Sequence, residues 1–294
     1  MSKGWGRKLA VLIAAGAVAM ASAGVAGADD VDTFSQSHGN APALHGRDAS
    51  PFGSSGGDLV DHGGPVLPSA TLYAIWWGPQ ANFASDEKAG IENLLSGFGG
   101  SKYLQVAKQY MRGATLSTSF GGSLTDYGST PPSKANTSSI TNEIAKVLAA
   151  NSMAPDPNAI YLVFTSNFPK GGNYCAWHSG ATINGVAIAQ AYMPNTTGIA
   201  GCDPGNPFTV TNPYSAGTRS VANVTSHETM EAITDKLPGG STYGWIDSSG
   251  SEISDKCAWQ FGSAVQIGSY TWTIQKNWSN DPNHHGCIQE WLWG

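Results

Sequence analysis

Ten consecutive residues, Ser226-His227-Glu228-Thr229-Met230-Glu231-Ala232-Ile233-Thr234-Asp235, constrain this chain more than any other stretch. They read as the end of a helix running from about Arg219 to Asp235, stopped by Pro238-Gly239-Gly240. Residues four apart share one helical face, so His227 and Glu231 aim at a common spot with Glu228 beside them. Val221 and Val224 stand on the same side one turn earlier. The polar face therefore continues an apolar stripe and looks inward or into a cleft. Buried charges need partners or a metal. A surface helix whose acids pair with Lys236 or Lys256 would need neither.

The pattern is the zinc-protease helix H-E-x-x-H with a glutamate in place of the second histidine. A zinc site needs a third protein ligand, and Glu252 and Asp255 follow His227 by 25 and 28 residues. One zincin group, resembling thermolysin, supplies a glutamate at that separation. His227, Glu231 and one of Glu252 or Asp255 are then the ligands. Glu228 is the general base toward a water whose pKa the metal lowers. One histidine with two carboxylates is a harder set than two histidines with one, which widens the choice of divalent metal to calcium, manganese or ferrous iron beside zinc. The stretch from Asp247 to Glu252 does not fit the EF-hand ligand spacing. His178, in Tyr174-Cys175-Ala176-Trp177-His178, is either a structural histidine held near a disulfide or a residue that binds substrate or completes a metal shell. His284 and His285 fall in a polar turn and read as solvated.

The N-terminus has the form of a secretory signal over residues 1–28. Lys3, Arg7 and Lys8 precede an apolar run from Leu9 to Ala21, and Ala26-Gly27-Ala28 is a cleavage site, with Ala21-Ser22-Ala23 competing. The run is short for a membrane span. Losing its three positive charges takes the formal charge from −6 to −9, with 12 of the 15 Lys and Arg remaining. That balance gives no footprint for nucleic acid or anionic lipid. The expected location is extracellular, off the membrane once the signal is cleaved.

Residues 29–57 read as a flexible lead-in with solvated His38 and His45, and 58–294 as one globular domain. Strands are expected at Thr71–Trp77, Ala159–Thr165 and Val186–Tyr192, with β-like runs such as Tyr270–Ile274 after Tyr243. Helices are expected after a Ser85-Asp86-Glu87 start, closing at Gly99-Gly100, then over Lys102–Met111 and Ser139–Ala150. The whole is a single mixed α/β (α+β) domain, zincin-like, with an irregular C-terminal part held by disulfides. Four cysteines in an exported chain imply two bridges. Cys175–Cys202 and Cys257–Cys287 are the favoured pairs because each closes a local loop. A four-thiolate zinc site lacks the C-x-x-C pairs it would need.

Several segments together resemble the phosphate-induced protein / EXORDIUM family of extracellular plant cell-wall proteins with bacterial relatives. They are His62-Gly63-Gly64-Pro65-Val66, the run from Tyr73 to Gly78 ending Ile-Trp-Trp-Gly, Tyr161–Ser166, and the segment ending at His178. Ser226-His227-Glu228 with Glu231, Glu252–Cys257, and Trp278 with Cys287 complete the series. The match runs in order from about Asp61 to the C-terminus. The family pattern also has H-E-x-x-E, so the resemblance implies that Glu231 belongs on this helix, and that the protein is secreted. This chain has fewer cysteines near His178 than the plant members and lacks their long inserts. Three functions follow as expectations. One is a zinc-dependent, peptidase-like extracellular hydrolase. The second is a non-catalytic cell-wall protein whose Trp and Tyr stack on sugars. The third, from family analogy alone, is a signalling or adhesion factor.

Overall fold

The structure is a computed structural model that describes residue 1 and residues 40–42, 56–172, 174–203, 212–239 and 242–292. The signal's apolar run and both cleavage sites lie outside the described residues, as do His38 and His45. Among the described residues no helix is long and apolar enough to cross a membrane.

Along the chain, the short strands β1 (Asn40–Pro42) and β2 (Val60–Asp61) precede β3 (Ser69–Trp77) and helix α1 (Glu87–Phe98). A 3₁₀ segment, Leu104–Tyr110, leads to β4 (Ser117–Asp126), helix α2 (Thr137–Ala150) and β5 (Ala159–Thr165). Then come β6 (Tyr174–Ile183), β7 (Val186–Pro194), helix α3 (Ala216–Thr234) and β8 (Trp245–Ile246). Short strands β9 (Val265–Ile267), β10 (Tyr270–Trp272), β11 (Asn277–Ser279) and β12 (Gly286–Ile288) follow. The architecture is mixed α/β.

One six-stranded sheet, in the order β1-β6-β7-β5-β3-β4, organises the molecule. Strands β4, β3, β5 and β7 run parallel, while β6 returns antiparallel to β7. That hairpin turns through Asn184 and Gly185, both at positive φ, the backbone a two-residue turn demands. Strand β5 is buried along its whole length. Ile160, Leu162 and Phe164 join the core on one face of the sheet, and Ala159, Tyr161 and Val163 join the core on the other. A central parallel strand is apolar throughout for this reason. Helix α2 covers the second face with Ile140, Ile144, Val147 and Leu148. Helices α1 and α3 and the C-terminal strands pack on the first.

The expected strands and three of the expected helices are present within a few residues of their predicted ends. Lys102–Met111 forms 3₁₀ turns over Leu104–Tyr110 rather than an α-helix; Ser101 Oγ accepts from the Leu104 N–H and fixes that tighter start. Asp86 stands at the α1 N-cap position without capping it; its carboxylate accepts from the Ser215 and Thr218 side chains at the start of α3 instead. Strands β4 and β6 were not expected. Asn40–Pro42, within the segment read as a lead-in, pairs antiparallel with β6. Both favoured disulfides are formed, Cys175–Cys202 and Cys257–Cys287.

Candidate metal centre

Helix α3 begins at Ser215, whose Oγ accepts from the Thr218 N–H. It lies against β6 and β7 with Gly217, Thr218 and every residue from Ser220 to Thr234 buried. A surface helix pairing with Lys236 or Lys256 is thereby excluded. Lys236 Nζ donates to the carbonyls of Pro157 (2.6 Å) and Ala187 (3.0 Å). Lys256 Nζ binds Asp247 at 2.7 Å and lies over the Trp278 ring. Neither reaches the acids of α3.

Two further segments bring side chains to the helix. On β6, His178 alternates with Ala176 on the face that packs against α3. After β8, the turn Glu252–Cys257 passes over His227: Ser254 Oγ donates to the His227 carbonyl, and the Trp278 N–H donates to the Ile253 carbonyl. The return from α3 toward this turn is close, since a Cβ on Gly244 would meet the Thr234 carbonyl oxygen at 2.2 Å.

Seven ionisable groups meet there: His178, His227, Glu228, Glu231, Asp235, Glu252 and Asp255. All are buried except Asp255, whose side chain is 18 % exposed. His227 Nε2 lies 2.9 Å from Glu231 Oε1 and 3.5 Å from Asp255 Oδ1. The spacing is that of ligands around one ion, about 3.3 Å apart for tetrahedral bonds near 2.0–2.1 Å. Yet Nε2 makes no hydrogen bond to either carboxylate.

His178 faces the other side of the same glutamate. Its Nδ1 is 3.3 Å from Glu228 Oε2 and 3.5 Å from Glu231 Oε2. Its Nε2 is 3.2 Å from the Asp235 carbonyl and 3.6 Å from Glu252 Oε1. Two groups therefore offer three ligand atoms within 4.8 Å of one another: His227, Glu231 and Asp255, and His178, Glu231 and Glu252.

Five carboxylates face two imidazoles, and among the described residues no lysine or arginine is paired with Glu231, Asp235, Glu252 or Asp255. Glu231 Oε2 and both oxygens of Glu252 have no hydrogen-bond partner. Without a cation, protons must balance this charge. Burial opposes charging His178, but Glu228 and Glu231 outweigh it and raise its pKa to about 10. His227 rises well above its ordinary value, against burial, through Glu231 and Asp255. Glu231 is likewise penalised by burial but is pulled down to about 2 by the two histidines. Burial pushes Glu228 up to about 7 and Asp255 to about 6. Glu252 is driven well above the carboxylate range by burial and by Glu231 and Asp235. Divalent cations displace protons from such sets.

All five sequence-derived site residues and His178 come together. The structure divides the third-ligand candidates: Asp255 shares a point with His227, whereas Glu252 sits with His178. Sequence reasoning missed Asp235, the C-terminal continuation of the α3 face, and Gln275. The Gln275 amide nitrogen lies 2.7 Å from His227 Nδ1 and 3.1 Å from the Ser254 carbonyl. In that orientation Nδ1 accepts and the neutral ring carries its proton on Nε2. Turning the amide over places Oε1 against an Nδ1–H and leaves Nε2 as a ligand, with the Ser254 contact given up.

No family model and no curated protein matches the chain. Among solved structures it overlaps metalloproteinase-II from Bacteroides fragilis at 12% identity and a TM-score of 0.28, over 50% of this chain and 42% of that one.

Proposed function

We propose that this protein is an exported, EXORDIUM-like hydrolase of peptidase-like kind that depends on a divalent cation, zinc by ligand geometry, held by His227, Glu231 and Asp255. The observation that carries this reading is the convergence of those three donors, two fully buried and the third largely so, with no lysine or arginine paired to them among the described residues. Bound there, zinc supplies Lewis-acid polarisation of a scissile carbonyl. Glu228 follows the ligand His227 directly on α3, where its carboxylate is placed to accept a proton and return it. His178 Nδ1 lies 3.3 Å from Glu228 Oε2. Asp255, the one ligand with solvent exposure, marks the side from which an extracellular peptide approaches.

Elemental analysis of protein purified from culture medium, followed by cleavage of a fluorogenic peptide library, tests this. Zinc retained by Glu228→Gln with hydrolysis lost supports it; full activity in that variant removes it. N-terminal sequencing of the exported chain should begin at Asp29.

A structural cation without turnover is favoured by a specific observation: His178, His227, Glu228, Glu231 and Glu252 have no solvent exposure. Zinc retained with no hydrolysis by the wild type would select it. Sugar stacking draws less support, because none of the eight described tryptophans is exposed.

A further inference from the structure

We propose a second divalent-cation subsite on the opposite side of Glu231, formed by His178, Glu231 and Glu252, so that the Glu231 carboxylate bridges two ions. It shares Glu231 with the site above but stands on its own atoms.

Glu231 is built as a bridge. Its Oε1 faces His227 and also accepts from the Asp255 N–H at 3.1 Å, while its Oε2 turns toward His178 and has no hydrogen-bond partner. Glu252 supplies the independent sign of a ligand. Its carboxylate is completely buried, both oxygens lack any hydrogen bond, and Oε1 lies 3.6 Å from the His178 ring. A buried carboxylate with two empty oxygens is among the costliest groups a core can hold. The backbone fixes it there, because Asp255 Oδ2 accepts from the Glu252 N–H at 3.3 Å and the Trp278 strand clamps the neighbouring Ile253. His178 is held from behind by the Asp235 carbonyl, which can only accept and so takes Nε2–H. The remaining ring nitrogen, Nδ1, faces Glu228 and Glu231, while Glu252 Oε1 approaches the ring from the Nε2 side; His178, Glu231 and Glu252 each offer one ligand atom within 4.8 Å of the others. Oxygen-rich and anionic, this subsite suits zinc or manganese beside the first ion, at the separation of about 3.5–4 Å that a shared carboxylate sets.

Equilibrium dialysis of the full secreted chain against zinc alone and against manganese alone, read by elemental analysis, tests the proposal. The wild type should hold about two ions per chain, as two-metal sites do. Glu252→Gln and Asp255→Asn should each lose one, and Glu231→Gln both. With manganese, the paramagnetic resonance spectrum should show an exchange-coupled pair that collapses to an isolated ion in Glu252→Gln. A wild-type content of one ion that Glu252→Gln leaves unchanged would overturn the second subsite. Loss of one ion in Glu252→Gln with none lost in Asp255→Asn would instead overturn the His227 site and keep this one. If Glu252→Gln fails to fold by circular dichroism, His178→Gln replaces it with the same expected loss.

Discussion

Helices α2 and α3 lie against the same sheet and could hardly differ more in how they are held. Helix α2 buries one apolar stripe and turns Ser138, Ser139 and Lys146 outward. Its start is secured by a capping box between Asn136 and Ser139. Helix α3 is enclosed on all sides although it carries hydroxyls, amides, a histidine and two glutamates. Its hydroxyls are satisfied within the helix: Thr225, Ser226 and Thr229 donate to the carbonyls of Val221, Ala222 and Thr225. The charged groups find no such local answer, because a carboxylate can only accept and the helix's own N–H groups are already used. Local hydrogen bonding lets a polar helix enter the core, and the charges it brings then define a site.

The largest effects should fall on α3 and depend on cation. Glu231→Gln should weaken zinc binding by more than about a hundredfold, since it removes a charged buried ligand; titration calorimetry measures it. Removing cation from the wild type with a chelator should cost on the order of 4 kcal/mol when the ion was present at a thousand times Kd. Thermal melts with and without chelator report this, and no shift would mean that α3 needs no ion. Leu162→Ala, in the dry core of β5, should cost about 2–5 kcal/mol in denaturant melts whether or not metal is present. Gln275→Leu should lower metal affinity roughly 10- to 100-fold by releasing His227, and an unchanged affinity would show that the ring is oriented by its carboxylates alone.

Smaller effects belong to helix starts. Asn136→Ala should cost about 1 kcal/mol and leave metal binding unchanged. Asp86 ties α1 to α3, and its pKa is lowered against burial by Thr218 and Ser215. A depressed carboxylate contributes stability that is complete above its unfolded pKa and fades as pH falls through its folded one. Asp86→Asn should therefore flatten the acid limb of the stability curve, the mildest of these changes.

The strands with continuous apolar runs, β3, β5 and β7, were legible because both their faces are buried. Strand β4 was not: Ser117–Asp126 is an edge strand with exposed and half-buried residues, and its polar, glycine-containing sequence carries little period-2 signal. In β6, Tyr174–Ile183, the cysteine and histidine drew attention to chemistry and hid a fully buried strand start. Helical spacing disclosed His227, Glu228 and Glu231, and chain separation disclosed Glu252 and Asp255. Which carboxylate joins which histidine depends on the packing of β6 against α3, a tertiary fact. Gln275, a single amide in a short irregular run, offered no periodicity to read.

The bridge between Cys257 and Cys287 closes two residues beyond Asp255, within the turn that carries both Glu252 and Asp255. The bridge removes chain entropy from the unfolded state, on the order of 3–4 kcal/mol for a loop of this length, and in the folded protein it ties the end of that turn to β12. An arriving ion then meets donors already in place and is spared the ordering of a mobile loop. Affinity at this centre is accordingly a matter of preorganisation: the covalent link lies outside the coordination sphere yet sets how much of the intrinsic bond strength survives as binding.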